Sequence, residues 1–74
     1  MRKGYIMKFN FKTLRQQANL TQTKAAQLLN VTQATISNWE SGKSLPSIKT
    51  LFAVAKLYKC SVDELLKGVE PLNV

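Results

Sequence analysis

The sequence contains no histidine, one cysteine and only four carboxylate side chains among its 74 residues. Because Cys60 is the single cysteine, no internal disulfide can form. Zinc sites need several Cys or His ligands, and general acid–base catalysis most often uses histidine. No Gly-rich phosphate loop is present either. The sequence therefore predicts a protein that is not an enzyme and that binds no metal ion and no cofactor.

Long apolar runs are also missing. No run approaches the roughly 20 residues that a membrane-spanning helix needs. The first seven residues lack the apolar stretch and the small-residue cleavage site of a secretory signal. Hydrophobic residues nevertheless make up 45% of the chain, which is normal for a folded domain. We expect one small cytoplasmic domain that does not insert into a membrane.

Acidic residues are scarce, and they are unevenly distributed. Residues 1–60 contain ten Lys or Arg and a single acid, Glu40, whereas residues 61–74 contain three acids and one lysine. The net charge is +7. A basic surface of this kind favours polyanions such as DNA. Charge alone, however, indicates an ordinary solvated lysine surface about as strongly as nucleic-acid binding.

Capping signals divide the chain into five short helices. The predicted N-caps are Asn10, Thr21, Thr32, Ser47 and Ser61, the last in a capping box with Glu64. The helices then run over residues 11–18, 22–29, 33–41, 48–58 and 62–67. Asn30 and Gly42 tolerate the left-handed conformation that ends a helix. We expect a basic arm over residues 1–10, a helix-turn-helix domain over residues 11–68 and a short tail over residues 69–74.

The predicted fold is all-α, a compact bundle of five short helices. The helices over residues 22–29 and 33–41 are separated by a three- or four-residue turn, which is the helix-turn-helix plan. Apolar contacts in the second helix are expected from Ala25, Ala26, Leu28 and Leu29. Helical spacing predicts that the fourth helix turns Ile48, Leu51, Phe52, Ala55 and Leu57 inward, with Val54 beside them. No strand of useful length is predicted.

The third helix has two different faces. At about 100° per residue, Thr35, Ile36 and Trp39 fall on a side that we expect to face the core. The opposite side is small, polar and uncharged, and it consists of Gln33, Ala34, Ser37, Asn38 and Ser41. Such side chains are usually only solvated. Gln and Asn can, however, also form paired hydrogen bonds with adenine in the major groove.

These residue types suggest a division of DNA contacts. Candidates for reading bases are Gln33, Asn38, Ala34, Ser37 and Thr32. Among them, the Ala34 methyl group suits a thymine methyl group, and the hydroxyls suit either a base edge or a phosphate. Candidates for holding phosphates are Gln22 at the start of the second helix, Lys43 after the end of the third, and Thr21.

Three residues are expected to support the structure. Trp39 could stack on nucleic acid, but it follows the inward spacing of Ile36, which favours a place in the core. Glu40 lies at the edge of that buried side, where a carboxylate needs a cationic partner. Arg15 on the first helix is the candidate partner. We interpret the pair as structural and not catalytic.

These residues resemble the lambda-repressor-like helix-turn-helix family, which includes Cro, the phage repressors and the XRE type. The resemblance covers residues 11–68. It is strongest in LTQTKAAQLLNVTQATISNWESGK at residues 20–43, and it continues into Pro46 and CSVDELL at residues 60–66. It implies a helical DNA-binding domain with Gln33, Ala34, Ser37 and Asn38 at base-reading positions, Thr32 close by, and Gln22 and Lys43 on phosphates. It also implies the Arg15–Glu40 pair.

Three positions depart from the family pattern. Asn30 stands where the family often has glycine, which the tolerance of Asn for the left-handed conformation explains. Ala25 stands where a larger aliphatic residue is common, so we expect compensating packing from Leu28. Ala34 is shorter than many family residues at its position.

Three functions are consistent with these features, and we favour the first. It is a transcriptional regulator, a repressor, that binds a palindromic operator on double-stranded DNA as a homodimer through helix five and Val69, Leu72 and Val74. The second is an antitoxin or a restriction-system controller with a protein partner such as a toxin, which the neighbouring gene would distinguish. The third is a protein-interaction module that has kept the fold without DNA binding.

Overall fold

Seven short elements follow one another along the chain. The computed structural model describes residues 10–67 in full and the backbone of residues 5–7 and 69–71. The elements are β1 (Tyr5–Met7), α1 (Phe11–Gln17), α2 (Gln22–Leu29), α3 (Gln33–Ser41), α4 (Ile48–Tyr58), α5 (Val62–Leu65) and β2 (Val69–Pro71). The predicted all-α bundle of five short helices is confirmed. Among the described residues, no helix is long and apolar enough to cross a bilayer.

Side-chain caps start four of the helices at the predicted residues. Thr21, Thr32 and Ser47 each accept a hydrogen bond from the backbone N–H three residues later, at 3.0 to 3.2 Å. Ser61 and Glu64 form the predicted capping box at the start of α5. These bonds satisfy N–H groups that have no partner within the first turn of a helix.

Asn10 occupies the cap position of α1, but its side chain makes no capping bond. Its Nδ2 instead donates to the carbonyl oxygen of Glu64 at 3.1 Å. Its backbone N–H donates to the carbonyl oxygen of Leu65, also at 3.1 Å. Asn10 therefore joins the start of α1 to the end of α5, a contact between residues far apart in sequence that local capping signals do not predict.

One hydrophobic core lies between the helices. All five helices contribute its buried side chains, which are Phe11, Ala25, Ala26, Ile36, Trp39, Val54, Ala55, Tyr58 and Leu65. The rings of Phe11 and Trp39 lie with their centroids 6.2 Å apart, so α1 and α3 meet through an aromatic contact. Cys60 is partly buried against this core.

The inward face of α4 differs from the prediction. Ile48 is 75% exposed and Phe52 is 62% exposed, whereas Val54, Ala55 and Tyr58 are buried. The sequence offers two overlapping apolar stripes with the same helical spacing, one beginning at residue 48 and the other at residue 51. Spacing alone cannot choose between them, and the structure buries the second stripe.

Leu28 also differs from the prediction. It was expected to pack beside Ala25 and to compensate for the small side chain there, but it is 53% exposed. Ala25 itself is completely buried. The helices around Ala25 therefore approach closely enough for a methyl group to fill the space, and no larger neighbour is needed.

A short β-ladder lies where an arm and a tail without strands were predicted. β1 and β2 pair antiparallel, with Ile6 opposite Glu70. Strands of three residues are too short to show a two-residue hydrophobic period, so no periodic signal predicts them. Residues 1–4, 8, 9, 68 and 72–74 lie outside the described residues, and so do the side chains of β1 and β2. The dimer contacts predicted for Val69, Leu72 and Val74 are among these side chains.

Replacing Lys59 by glycine is expected to stabilise the protein by about 1 kcal/mol. Lys59 ends α4 in the left-handed conformation, with φ 57° and ψ 48°. A Cβ atom makes that conformation costly, and glycine removes the cost. The change is measured by urea unfolding. Lys56→Gly, inside the same helix, is the matched control and is expected to destabilise by a similar amount. A loss of stability in Lys59→Gly would contradict the prediction.

Stability is expected to fall as the pH rises from 10 to 12. Burial, with a further contribution from the Glu40 charge, raises the pKa of Tyr58 from 10.0 to about 12. The unfolded chain therefore loses this proton at a lower pH than the folded protein does. Within this range the unfolded state binds fewer protons, so a higher pH favours unfolding. Urea unfolding at a series of pH values is expected to show a steeper decline for the wild type than for Tyr58→Phe.

Candidate nucleic-acid interface

The turn between α2 and α3 determines how the two helices of the helix-turn-helix are oriented. Asn30 ends α2 with φ 59° and ψ 44°, in the left-handed region predicted for it. The N–H of Val31 then donates to the carbonyl oxygen of Ala26 at 3.0 Å. Thr32 starts α3 by its cap. Residues 30–32 thus redirect the chain between the two helices, and their hydrogen bonds hold the orientation of α3 relative to α2.

The two faces of α3 are those that helical spacing predicts. Ile36 and Trp39 are buried, and Thr35 is partly buried. Gln33, Ala34, Ser37 and Ser41 are exposed, as is Thr32 before the helix, while Asn38 is half-buried. The exposed side therefore presents amide, hydroxyl and methyl groups without a charge.

The candidate phosphate-binding residues lie on either side of this face. Thr21 and Lys43 are exposed, and Gln22 is half-buried. Thr21, Gln22 and Gln33 line the same open depression between α1, α2 and α3. Lys43 follows the end of α3, where its backbone N–H donates to the carbonyl oxygen of Asn38 at 2.9 Å.

Charge around the face is positive. Glu40 is the only acid in residues 11–60, and its side chain is 7% exposed. Lys24 and Lys43 are exposed on α2 and in the loop after α3. Within residues 11–60, the exposed surface therefore carries lysines and no exposed carboxylate, which favours phosphates.

The structure brings Arg15 and Glu40 together. Nε of Arg15 donates to Oε2 of Glu40 at 2.6 Å, and Nη2 donates to Oε1 at 3.3 Å. The third nitrogen, Nη1, donates to the carbonyl oxygen of Leu20 at 2.8 Å. Both side chains are buried, so the pair fixes α1, α3 and the connection before α2 in one arrangement. Trp39, the third residue predicted to support the structure, is buried beside Phe11.

Glu40 also connects to the outward face. Nε2 of Gln22 donates to Oε1 of Glu40 at 3.0 Å, and Oε1 of Gln22 accepts from Nε2 of Gln33 at 3.3 Å. Thr23 completes the set, with its hydroxyl 3.5 Å from Oε1 of Gln33. Sequence reasoning did not select Thr23. Its position next to Gln22 could have indicated it, because the helix-turn-helix plan places the start of α2 close to the start of α3.

A family model described as helix-turn-helix matches residues 11–65, which is most of the chain. The chain belongs to the lambda-repressor-like, XRE-type helix-turn-helix family. Members of this family are DNA-binding transcription regulators.

Within the described residues, no group of three or more His, Cys, Asp and Glu side chains could hold a metal ion.

Individual relatives agree with this membership. The chain is 44% identical over 70 residues to the transcriptional activator BcrR of Enterococcus faecalis, covering 92% of this chain and 34% of BcrR. It is 30% identical over 63 residues to repressor protein C2 of Salmonella phage P22, covering 85% of this chain and 29% of C2. The chain thus spans about a third of the length of these two curated relatives.

A solved structure shows the same fold. A crystal structure of the P22 c2 repressor in complex with a synthetic operator superimposes with a TM-score of 0.73 at 30% identity. The match covers 80% of this chain and 89% of that one. This XRE-type domain, including α3, therefore shares its fold with a phage repressor that was crystallised with operator DNA.

Proposed function

We propose that this protein is a sequence-specific transcriptional regulator that places α3 in the major groove of double-stranded DNA. The observation that carries the proposal is the exposed, uncharged polar face of α3. Major-groove edges present hydrogen-bond donors, acceptors and methyl groups, which such a face can match. The crystal structure of the related P22 c2 repressor with a synthetic operator supports DNA binding by this fold.

In this proposal the bases are read from the first turns of α3. Gln33 and Asn38 form paired hydrogen bonds with adenine, and Ala34 contacts a thymine methyl group. Ser37 bonds a base edge. The Thr32 hydroxyl accepts from the N–H of Thr35 at 3.1 Å and shares a hydrogen bond of 2.8 Å with the Thr35 hydroxyl. Its one remaining hydrogen-bonding position serves a base edge or a nearby phosphate.

Phosphates on either side of the groove are held by α2 and by the loop after α3. Thr21 and Gln22 stand at the N-terminus of α2, where backbone N–H groups and the helix dipole favour an anion. Lys43 supplies a charge at the other side. These contacts set the position of α3 along the DNA without selecting a sequence.

We further propose that the DNA-bound form is a homodimer joined through α4 and α5. Ile48 and Phe52 are one turn apart on α4, so they form one exposed apolar patch. Phe52 also lines a groove that has Lys56 and Asp63 along it. In a two-fold contact, a residue that meets a second residue on the other copy is matched by the reverse contact. A groove with one cation, Lys56, and one anion, Asp63, can therefore pair with the same groove of a second copy of this chain.

The homodimer is tested by sedimentation equilibrium and by the symmetry of the bound DNA. Phe52→Lys is expected to give a monomer that binds its operator more weakly. Leu28→Lys, which places the same charge at another exposed apolar residue, is expected to leave the dimer intact. A wild-type protein that stays monomeric on a palindromic duplex would overturn this part of the proposal.

Sequence-specific binding is tested by selecting duplexes from a random pool with the wild-type protein. We expect one enriched palindromic motif. Gln33→Ala with Asn38→Ala is expected to lose roughly 1–3 kcal/mol of affinity per side chain, whereas Gln17→Ala, an exposed glutamine on α1, is expected to lose none. Equal affinity for all duplexes would overturn sequence-specific binding. Unchanged affinity in the double variant would leave a protein-interaction module as the alternative.

Repression is the direction of regulation that we propose, and the name of the P22 relative supports it. The name of the Enterococcus relative favours activation. A reporter gene placed behind the selected motif separates the two. Reporter output that falls when the protein is present supports a repressor, and output that rises overturns that direction while leaving DNA binding intact.

A further inference from the structure

The short helix α5 cannot fix its own position. It spans four residues, Val62–Leu65, and an isolated helix of a single turn is not stable in water. Its capping box joins Ser61 to Glu64 and therefore lies within the helix itself. Among its own residues Leu65 is fully buried, and Val62 is partly buried against the core. The direction of α5 therefore depends on contacts from other parts of the chain.

Asn10 supplies two of these contacts. Its Nδ2 donates to the carbonyl oxygen of Glu64, and its backbone N–H donates to the carbonyl oxygen of Leu65, both at 3.1 Å. The last carbonyl groups of a helix have no partner inside the helix, so Asn10 satisfies two groups that α5 cannot satisfy itself. Because the Asn10 side chain makes no capping bond in α1, its hydrogen bonding is directed at α5.

The β1–β2 ladder is a second connection between the same two parts of the chain. β1 precedes Asn10, β2 follows α5, and Met7 lies opposite Val69. The bond from Asn10 to Leu65 has the same antiparallel sense, because a residue later than Met7 meets a residue earlier than Val69. We call Asn10 together with the ladder the N-terminal latch. It holds α5 both at its last residues and through the strand that follows.

The helix held in this way forms one side of the groove that we assign to the homodimer. Val62 and Asp63 of α5 line this groove together with Phe52 and Lys56 of α4. Since α5 is only one turn long, a rotation at its end would displace its whole length. Interfaces between proteins pack as closely as protein interiors, so such a displacement would spoil the match with the second copy.

We propose that the N-terminal latch positions α5 for contact with a second copy of this chain, which makes Asn10 a positioning residue of the dimer surface. The proposal rests on the proposed homodimer. It gives the segment before α1 a role that differs from direct contact between a basic arm and DNA. The latch raises affinity for a palindromic site through the dimer, and the reading of each half-site is left to α3.

The first test measures the dimer without DNA. Asn10→Asp keeps the shape of the side chain, but a carboxylate cannot donate to the Glu64 carbonyl oxygen. We expect the dimer dissociation constant from sedimentation equilibrium to rise about tenfold, the scale of one or two hydrogen bonds. Asn19→Asp makes the same chemical change at an exposed residue between α1 and α2 and is expected to leave the dissociation constant unchanged.

Ile6→Pro with Met7→Pro tests the ladder separately. Neighbouring residues of an antiparallel strand direct their N–H groups to opposite sides, so the double replacement removes a ladder bond whichever residue donates. The dimer is again expected to weaken. At concentrations where the wild type is monomeric, the N–H groups of Leu65 and Leu66, which bond within α5, are expected to exchange hydrogen faster in this variant, whereas those of α3 are expected to be unchanged.

The second test compares a palindromic duplex with a duplex that carries one half-site, both taken from the selected motif. Asn10→Ala changes no charge and leaves α3 and its flanking residues as they are. It is expected to lower affinity for the palindrome by about tenfold, because the dimer contact adds to the binding of two half-sites. Affinity for the single half-site is expected to stay unchanged.

Each contrary outcome has its own meaning. An unchanged dimer dissociation constant in Asn10→Asp overturns the inference and leaves the homodimer standing. An equal loss of affinity on the half-site and on the palindrome also overturns it, because the segment would then act on DNA directly or on the whole fold. A wild-type protein that stays monomeric on the palindrome overturns the homodimer and the inference together. If Asn10→Asp does not fold, the ladder variant decides, because it keeps Asn10.

Discussion

Replacing Arg15 by methionine is expected to lower the free energy of unfolding by about 3–5 kcal/mol. Arg15 contacts both oxygens of Glu40 and the carbonyl oxygen of Leu20. Without it, the buried Glu40 side chain would have only the Gln22 amide of this set as a partner. A domain of this length has a total stability of roughly 4–11 kcal/mol, so the loss is a large part of it.

Urea unfolding followed by circular dichroism measures this loss. Lys12→Met, an exposed position on the same helix, is the control and is expected to change stability by less than about 0.5 kcal/mol. The double variant Arg15→Met with Glu40→Leu is expected to recover most of the loss, because no unpaired charge then remains buried. A double variant as unstable as Arg15→Met would show that the stranded charge is not the cause.

Truncating Leu65 to alanine is expected to cost about 2–5 kcal/mol. Leu65 is fully buried and is the core residue of α5. Its backbone carbonyl oxygen also accepts from Asn10 at the start of α1. Removing its side chain takes away both its transfer free energy and its contacts, and the backbone bond prevents α5 from moving freely into the space.

Leu28→Ala is the matched control, since it makes the same chemical change at a side chain that is 53% exposed. We expect it to cost less than about 1 kcal/mol, because little apolar area returns to water. Both variants are measured by urea unfolding at one protein concentration. Equal losses would mean that Leu28 is packed as the sequence predicted, and they would contradict its observed exposure.

The helix boundaries could be predicted because the relevant signals are local. A hydroxyl at the cap reaches an N–H three residues later within the same turn, so Thr21, Thr32 and Ser47 act without help from the rest of the chain. The same is true of Asn30, whose left-handed conformation depends mainly on its own side chain. These short-range effects also set the two faces of α3.

Apart from the Arg15–Glu40 pair, features that depend on distant residues were predicted poorly. α4 carries two apolar stripes, and its neighbours decide which one is buried, so Ile48 and Phe52 were placed wrongly. The hydrogen-bond partner of Asn10 lies on α5. β1 is paired with β2, which lies near the opposite end of the sequence. The bonds that link Gln22 to Glu40 and Gln33 arise where three helices meet, and no single segment contains them.

The position of Trp39 has a practical consequence for optical experiments. It is the single tryptophan of the chain, and it lies in the core against Phe11 on the side of α3 away from the exposed polar face. Its fluorescence therefore reports on how α1 packs against α3, and a bound duplex would not touch the indole. A change in emission on adding DNA would reveal a rearrangement inside the protein, while constant emission would indicate rigid docking.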